Sequence, residues 1–413
     1  MINKTDIQKL RDKYGIIRTS LIVPYKITWR IIAKIYKIYL RRTTKPCNDI
    51  IIFESEPDYA DNARALCEYI ANNSEYANKH LYFVVEDVDR CRRVFSDKKV
   101  EFIGVNRIYE YPLSTLKIMY EARWWFSSHS FSLSKEEKAE GQNYIRHWQG
   151  CGVMDKIEVD KNGGRLFDKV CVPGPLFIPI KARYWDIAED RIIAKGYPRF
   201  DWLRMKSEKA QALYKRLIGD NSRGVIWMPT YRNTATTIHR GMKETSKFPL
   251  ISNDLEWFEL DRLCRSLKIV LLIKLHIYHV SLNIDFSKFS NIKIVTNNDF
   301  DKADVPMYDF IGLTDALISD YSSIAVDYLV VNKPLAFALD DFEEYKQKRG
   351  FVFDDPRMYM PGHHLYNLCD LFHFIEDIAN RHDVYLKQRQ EMRKIAIVQS
   401  SNYCQELLDY LNI

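Results

Sequence analysis

The chain has 413 residues, 46% hydrophobic and 28% charged, the balance of a folded protein rather than a disordered or fibrous one. That length exceeds what one hydrophobic core normally serves, so two domains are expected. A net charge of +6 suits an anionic ligand or a membrane surface but does not imply nucleic acid. The eight cysteines are scattered with no CxxC pair, which argues against a zinc site or a disulfide framework.

There is no secretory leader, and no apolar run nears the roughly 20 residues that span a bilayer, so a cytoplasmic protein is expected. Pro24 to Arg42 reads PYKITWRIIAKIYKIYLRR. Lys26, Arg30, Lys34, Lys37 and Arg41 recur at helical spacing on one face, beside Ile27, Ile31, Ile35 and Ile38, with no acid among them. This predicts a basic amphipathic helix lying on an anionic membrane surface; the alternative is a helix packed on its own domain with a solvated basic side.

From Asp49 on, strands and helices alternate. The pattern predicts strands at Ile50 to Phe53, Leu81 to Val85, Val100 to Val105, Trp124 to Ser127, Asn143 to Trp148, Val170 to Pro173 and Ile192 to Lys195. Helices are expected at Asn62 to Ala71 and Leu113 to Glu121. After Gly196-Tyr197-Pro198-Arg199-Phe200-Asp201 and a charged helix, Glu208 to Leu217, the pattern restarts. Strands follow at Gly224 to Met228, Lys268 to Leu275 and Ile292 to Val295, with helices at Leu255 to Ser266 and Val305 to Gly312. A parallel βαβ unit comes next: Ala316 to Ile318, the turn Ser319-Asp320-Tyr321-Ser322-Ser323, a helix to Val331, and Leu335 to Leu339. Three helices close the chain, at Asp370 to Ala379, Tyr385 to Ile397 and Asn402 to Leu411. The expected fold is α/β: two Rossmann-like doubly wound domains with a cleft between them, after an N-terminal helix. The expected boundaries are 1–46 for the basic segment, 47–205 for the first domain and 206–413 for the second.

In open α/β sheets, ligands bind beyond the carboxyl ends of the strands. Three such ends in the second half carry polar groups, Pro229-Thr230-Tyr231-Arg232, Lys274-Leu275-His276 and Ser322-Ser323, and Asp327 follows the last by one helical turn. Lys and Arg neutralise phosphate oxygens, a serine turn at a helix start offers hydroxyls and backbone N–H groups, and an acid can hold ribose hydroxyls. The bland reading of each serine is a helix cap, and of a lone strand-end histidine a satisfied structural residue. Together the three ends and Asp327 point to a nucleotide diphosphate. His276 and His279 have HxxH spacing, but they follow a strand and no third ligand is apparent, so no metal site is expected.

LISDYSSIAVDY, NKPLAFALDDFEEYKQKRGFVFD, GYPRFDWL, WMPTYR and LIKLH together resemble the CDP-glycerol glycerophosphotransferase family, the teichoic acid primases and polymerases. The resemblance covers roughly residues 120–365. It implies the two-Rossmann glycosyltransferase-B architecture and a peripheral place on the cytoplasmic membrane face. The implied activity moves glycerol phosphate, or a related alditol phosphate, from CDP-glycerol to a hydroxyl of an envelope glycan or lipid-linked acceptor, releasing CMP. Teichoic acid or capsule-type polymer synthesis is the implied setting, with no cofactor required and no divalent metal indicated.

Residue by residue, the expected donor contacts are Gln149, Gly150, Cys151, Gly152 and Val153 of the first-domain motif and, as the resemblance implies, Arg199, Pro229, Thr230, Lys274, Leu275, His276, Ser322, Ser323 and Asp327, with Lys274, His276 and Arg199 also meeting the charge of departing CMP. The first-domain motif of the family, Trp-His-Gly with small residues and a lysine, stands here as Trp148-Gln149-Gly150-Cys151-Gly152-Val153, with Lys156 further on. Gln149 replaces the family's proposed catalytic base, and an amide cannot accept a proton at neutral pH. His147, two residues earlier and on the same strand face, is the expected substitute base. His129 is a second candidate, and a loose phosphoryl-transfer transition state can also do without a strong base. The alternatives in function are a nucleotide-sugar glycosyltransferase and a non-catalytic nucleotide-binding scaffold. Nucleic acid is not an expected partner.

Overall fold

The computed structural model describes residues 28–96, 98–104, 112–129, 131–133, 137–148, 150–151, 160, 162–229, 248–275, 284–348 and 350–413. The chain opens with helix α1, residues 28–43. It continues β1 (Cys47–Glu54), α2 (Asp61–Asn72), β2 (His80–Val85), α3 (Val88–Val94), β3 (Glu101–Gly104), α4 (Leu113–Glu121), β4 (Ala122–Ser127), β5 (Asn143–His147), β6 (Lys169–Val172), α5 (Phe177–Trp185), β7 (Ile192–Ala194), α6 (Arg199–Met205) and α7 (Glu208–Ile218). The second half runs β8 (Arg223–Trp227), α8 (Asp254–Ser266), β9 (Ile269–Ile273), β10 (Ile292–Ile294), α9 (Asn297–Ala303), α10 (Met307–Leu313), β11 (Ala316–Ser319), α11 (Ile324–Tyr328), β12 (Leu335–Ala338), α12 (Phe342–Lys348), β13 (His363–Leu365), α13 (Leu368–Asn380), α14 (Leu386–Ala396) and α15 (Tyr403–Leu411).

The strands form two sheets, in the orders β3-β2-β1-β4-β5-β6-β7 and β10-β9-β8-β11-β12-β13. The pairs from β3 through β5 in the first sheet, and all pairs of the second, are parallel. Each sheet therefore has the doubly wound order, with its winding reversing between β1 and β4 in one and between β8 and β11 in the other.

Parallel strands covered on both faces read as unbroken apolar runs, and IVLLI of β9 is buried at every position. The period-2 alternation divides each strand between two faces. Val225, Trp227, Leu271, Ile273, Ala316 and Ile318 point to one side of the second sheet, against Trp257, Leu260 and Cys264 of α8 and Leu371, Phe374 and Ile378 of α13. Asn253 and Asn367 start those two helices by accepting from the backbone N–H of Glu256 and Asp370. In the first sheet Ile52, Val84, Ile103, Trp125 and Tyr144 pack with Leu116, Met119 and Tyr120 of α4, and with Ala33 and Leu40 of α1.

The basic N-terminal segment is helical where it is described, but its orientation differs from a simple basic-out arrangement. Ala33 and Leu40 are the residues seated in the core, while Ile31, Ile35 and Ile38 are 55%, 63% and 46% exposed. Lys26 and Ile27 lie outside the described residues.

Compactness divides the chain differently from the expected boundary at 205/206. One unit comprises 1–147, 162–170 and 413, and the other 148–161 and 171–412. The reason is that the C-terminal helices and α10 hold residues 171–205. The Asp201 carboxylate accepts from the backbone N–H of Tyr403 and Cys404 at 2.9 Å and 2.9 Å, fixing the start of α15. Val398 N–H donates to Pro173 O, and Leu176 N–H to Ile395 O. Gly196 has φ +78°, and a Cβ there would collide with the Tyr403 ring, so only glycine fits.

Candidate functional site

The second sheet reverses between β8 and β11, and β9 lies on the other side of β8. The three strand ends are tied together by backbone hydrogen bonds. Lys274 N–H donates to Trp227 O at 2.9 Å, and Met228 N–H donates to Ile318 O at 2.8 Å. Pro229, Lys274 and the turn after Ser319 thus lie within two strand spacings, about 10 Å.

Lys274 is partly buried, and burial lowers the pKa of its ammonium. Among the described residues that ammonium has no ion pair or hydrogen bond, and no neighbouring charge offsets its desolvation. A desolvated cation at a strand end is an anion site in electrostatic terms. Leu275 next to it packs against the apolar core, so it supports the position of Lys274 rather than offering a polar contact.

Ser322 and Ser323 are both partly exposed at the start of α11. Ser323 takes the N-cap position with no side-chain cap hydrogen bond, so capping is not what its hydroxyl does. Ser322 Oγ meets Ile324 N–H at 3.5 Å, the outer limit of a hydrogen bond. The helix after the turn corrects the expected extension to Val331: α11 is five residues long. So short a helix adds little dipole to the polar groups of the turn.

Arg199 and Asp327, both expected as donor contacts, instead close on each other. Arg199 Nη2 lies 2.5 Å from Asp327 Oδ2, and the residues are 2% and 1% exposed. Tyr308 donates its hydroxyl to the same carboxylate oxygen at 2.7 Å, and the Arg199 guanidinium sits 4.7 Å from the Tyr308 ring and 5.1 Å from the Tyr197 ring. Neither charge faces solvent, so their contribution runs through α11, whose first residue follows Ser323.

The first-motif loop is anchored by a second group of side chains. Tyr197 Oη donates to Cys151 Sγ at 3.1 Å, and Cys151 is 1% exposed. Burial pushes its thiol up to about 11, so it is a packed group and not a nucleophile. Lys181 of α5 donates from Nζ to Gly150 O at 3.1 Å. Gln149, Gly152, Val153, Lys156, Thr230, Tyr231, Arg232, His276 and His279 lie outside the described residues.

In the first unit, His147 corrects the expected base. It is fully buried at the end of β5 with its ring stacked on Phe126 at 5.7 Å, a packed position rather than one open to solvent. A general base must come within hydrogen-bond reach of the proton it removes. His129 is partly exposed just beyond β4, at that sheet's own reversal point. Nearby, the Glu54 carboxylate at the end of β1 accepts from Ser132 N–H at 2.9 Å and from the Ser132 hydroxyl. Tyr308 and Lys181 are the groups that motif reading passed over. For Lys181 a signal was present: Tyr184 and Trp185 stand three and four positions later on the same helix, the spacing that stacks side chains.

The family model for CDP-Glycerol:Poly(glycerophosphate) glycerophosphotransferase matches residues 34–405. A teichoic acid poly(glycerol phosphate) polymerase of Bacillus spizizenii is 26% identical, over 84% of this chain and 85% of its own length. A teichoic acid glycerol-phosphate transferase of Staphylococcus aureus is 24% identical, over 86% and 90%. Among solved structures, the wall teichoic acid polymerase TagF superposes with a TM-score of 0.70 at 21% identity, covering 96% of both chains, and so shares the fold. A variant of it soaked with CDPG gives 0.69 at 20% identity, covering 94% and 96%.

Proposed function

The chain belongs to the CDP-glycerol:poly(glycerophosphate) glycerophosphotransferase family, and from that premise we propose how its second unit receives the donor. It is a transferase: glycerol phosphate moves from CDP-glycerol to a hydroxyl in teichoic acid-type biosynthesis, and CMP leaves. The acceptor is a cell-envelope glycan or lipid-linked chain. The observation that carries the donor reading is Lys274, a desolvated ammonium unpaired among the described residues, at the end of β9, one strand from the point where the sheet reverses.

The diphosphate lies against Lys274 and the Ser322–Ser323 turn, beside Pro229 and Thr230. His276 follows two residues after Lys274 and takes the role the family motif implies for it. The acceptor oxygen attacks the distal phosphorus in line. A new P–O bond forms as the bond to the bridging oxygen breaks, and the electron pair departs on CMP. Lys274 stabilises the charge growing there. The hydroxyl proton passes to solvent, since a loose phosphoryl-transfer transition state needs no strong base. Lys274 supplies charge that a metal would otherwise provide, so turnover is expected to survive chelators.

Lys274→Ala is expected to lower CMP release from CDP-glycerol by about 10²–10³-fold, the usual cost of a charge-stabilising donor, with the fold intact. Wild-type turnover in that variant, or release of nucleotide from UDP-sugars in place of CDP-glycerol, refutes the reading.

We further propose that α1 lies on an anionic membrane. Among the described residues no helix is long and apolar enough to cross one. Yet α1 exposes Ile31, Ile35, Ile38 and Tyr39 beside exposed Lys34, Arg41 and Arg42. An isoleucine stripe rimmed by lysine and arginine suits the headgroup boundary. Ile35→Asp with Ile38→Asp should abolish cosedimentation with phosphatidylglycerol vesicles and leave soluble turnover unchanged; retained binding refutes it.

A further inference from the structure

Lys181 is 3% exposed. Its Nζ lies 5.4 Å from the Trp148 ring, 5.2 Å from Tyr184 and 5.9 Å from Trp185. Trp148 and Trp185 meet edge to face, with centroids 5.0 Å apart and planes at 90°. Three ring faces thus surround one ammonium, an arrangement that stabilises a cation. The ammonium donates to the carbonyl of Gly150 at 3.1 Å. Gly150 itself has little latitude, since a Cβ there would lie 3.2 Å from Trp148 Nε1. The next residue, Cys151, is held by the Tyr197 hydroxyl. Both residues after Gln149 are therefore tied to the second unit, one by its carbonyl and one by its thiol, while Trp148 before it is part of the aromatic enclosure.

A buried lysine is a poor way to stabilise a fold. Removing an ammonium from water is costly, and an apolar side chain of the same length packs as well or better. One group that gains from the charge is a backbone carbonyl of the first motif, that of Gly150. We propose that Lys181 is a positioning residue for phosphoryl transfer: held by Trp148, Tyr184 and Trp185, it fixes the Gly150 carbonyl and so the Gly150–Cys151 stretch of the first motif. This rests on the transferase reading given above. The residue touches neither substrate nor reacting phosphorus; it acts through the loop.

Methionine keeps the stem of the side chain and removes the charge, and arginine keeps the charge. Lys181→Met should fold with an unchanged or higher midpoint of thermal unfolding. Its kcat for CMP release should fall by about 10–100-fold, the range for misplacing a reacting group by about 1 Å, while donor KM stays within about twofold. Lys181→Arg should recover part of kcat. Loop position is read independently through Cys151, in a background where the exposed Cys47 and Cys369 are replaced by serine. Maleimide labelling of Cys151, located by peptide mass mapping, should accelerate at least about tenfold in Lys181→Met and stay slow in Lys181→Arg. A kcat within twofold of wild type overturns the proposal, as does a Cys151 that stays shielded, or one labelled together with the buried Cys171 and Cys264, which signals general loosening. If Lys181→Met fails to fold, Tyr184→Leu removes one partly exposed wall of the enclosure and should move kcat and labelling the same way; no change there overturns it too. Should wild type release nothing from CDP-glycerol, the transferase reading fails, while labelling still decides whether Lys181 holds the loop.

Discussion

Arg199 and Lys274 are both cations in the motif set expected to meet the donor, and they stand in opposite states. Arg199 is buried against Asp327 with Tyr308 on the same oxygen. Lys274 is partly buried, with its ammonium unpaired among the described residues. A charge that is already matched organises the protein, and one that is not is available to a ligand. Arg suits the first task because its planar fork pairs with carboxylates and stacks on aromatic rings, while Lys is a compact charge suited to a phosphate oxygen.

The largest effect that breaks this comparison is on stability. Asp327→Ala leaves the Arg199 guanidinium buried without its carboxylate, and breaking a buried pair this way costs roughly 3–5 kcal/mol. Urea unfolding should show that loss, and a double variant with Arg199→Leu should recover part of it, because the uncompensated charge is gone. Loss of donor binding with full stability would instead place Asp327 in direct contact with the nucleotide. Lys274→Ala should show the reverse profile, keeping its stability and losing turnover.

Much of the fold was legible because buried parallel strands leave apolar runs that need no partner information. Helix α4 was read to the residue, and both doubly wound halves were read from alternation. Other helices were missed for local reasons. Gly196 and Pro198 read as punctuation, yet Pro198 takes the N-cap of α6, a helix start at which proline is well suited. In α9 the signal was present and unused: Thr296 and Asp299 form a reciprocal capping box. At the candidate site the motifs gave residue types at strand ends, which depend on short-range pattern. They could not give the state of each charge. Arg199 and Asp327 are separated by 128 positions, and only the packing of α6 and α11 brings them together. The burial of His147 was hidden likewise, since Phe126 belongs to a neighbouring strand.

The smallest effect sharpens the comparison through pH. Desolvation lowers the pKa of Lys274, so the free enzyme loses that proton earlier on an alkaline titration than an ordinary lysine does. On the donor reading proposed above the charged form meets the diphosphate, so kcat/KM for CDP-glycerol should hold steady below this pKa and fall as pH rises through it, up to tenfold per unit. Stability moves the other way. Between the lowered folded pKa and the ordinary unfolded one, the unfolded chain binds more protons, so the apo fold gains stability as pH rises. Lys274→Arg stays charged throughout and should lose both effects, with no alkaline limb from this residue in kcat/KM and no matching gain in the apo urea midpoint. Arg199 cannot generate such a limb in either protein, since a guanidinium stays protonated across the range. An alkaline limb identical in wild type and Lys274→Arg would move the titrating group elsewhere and remove Lys274 from the donor site.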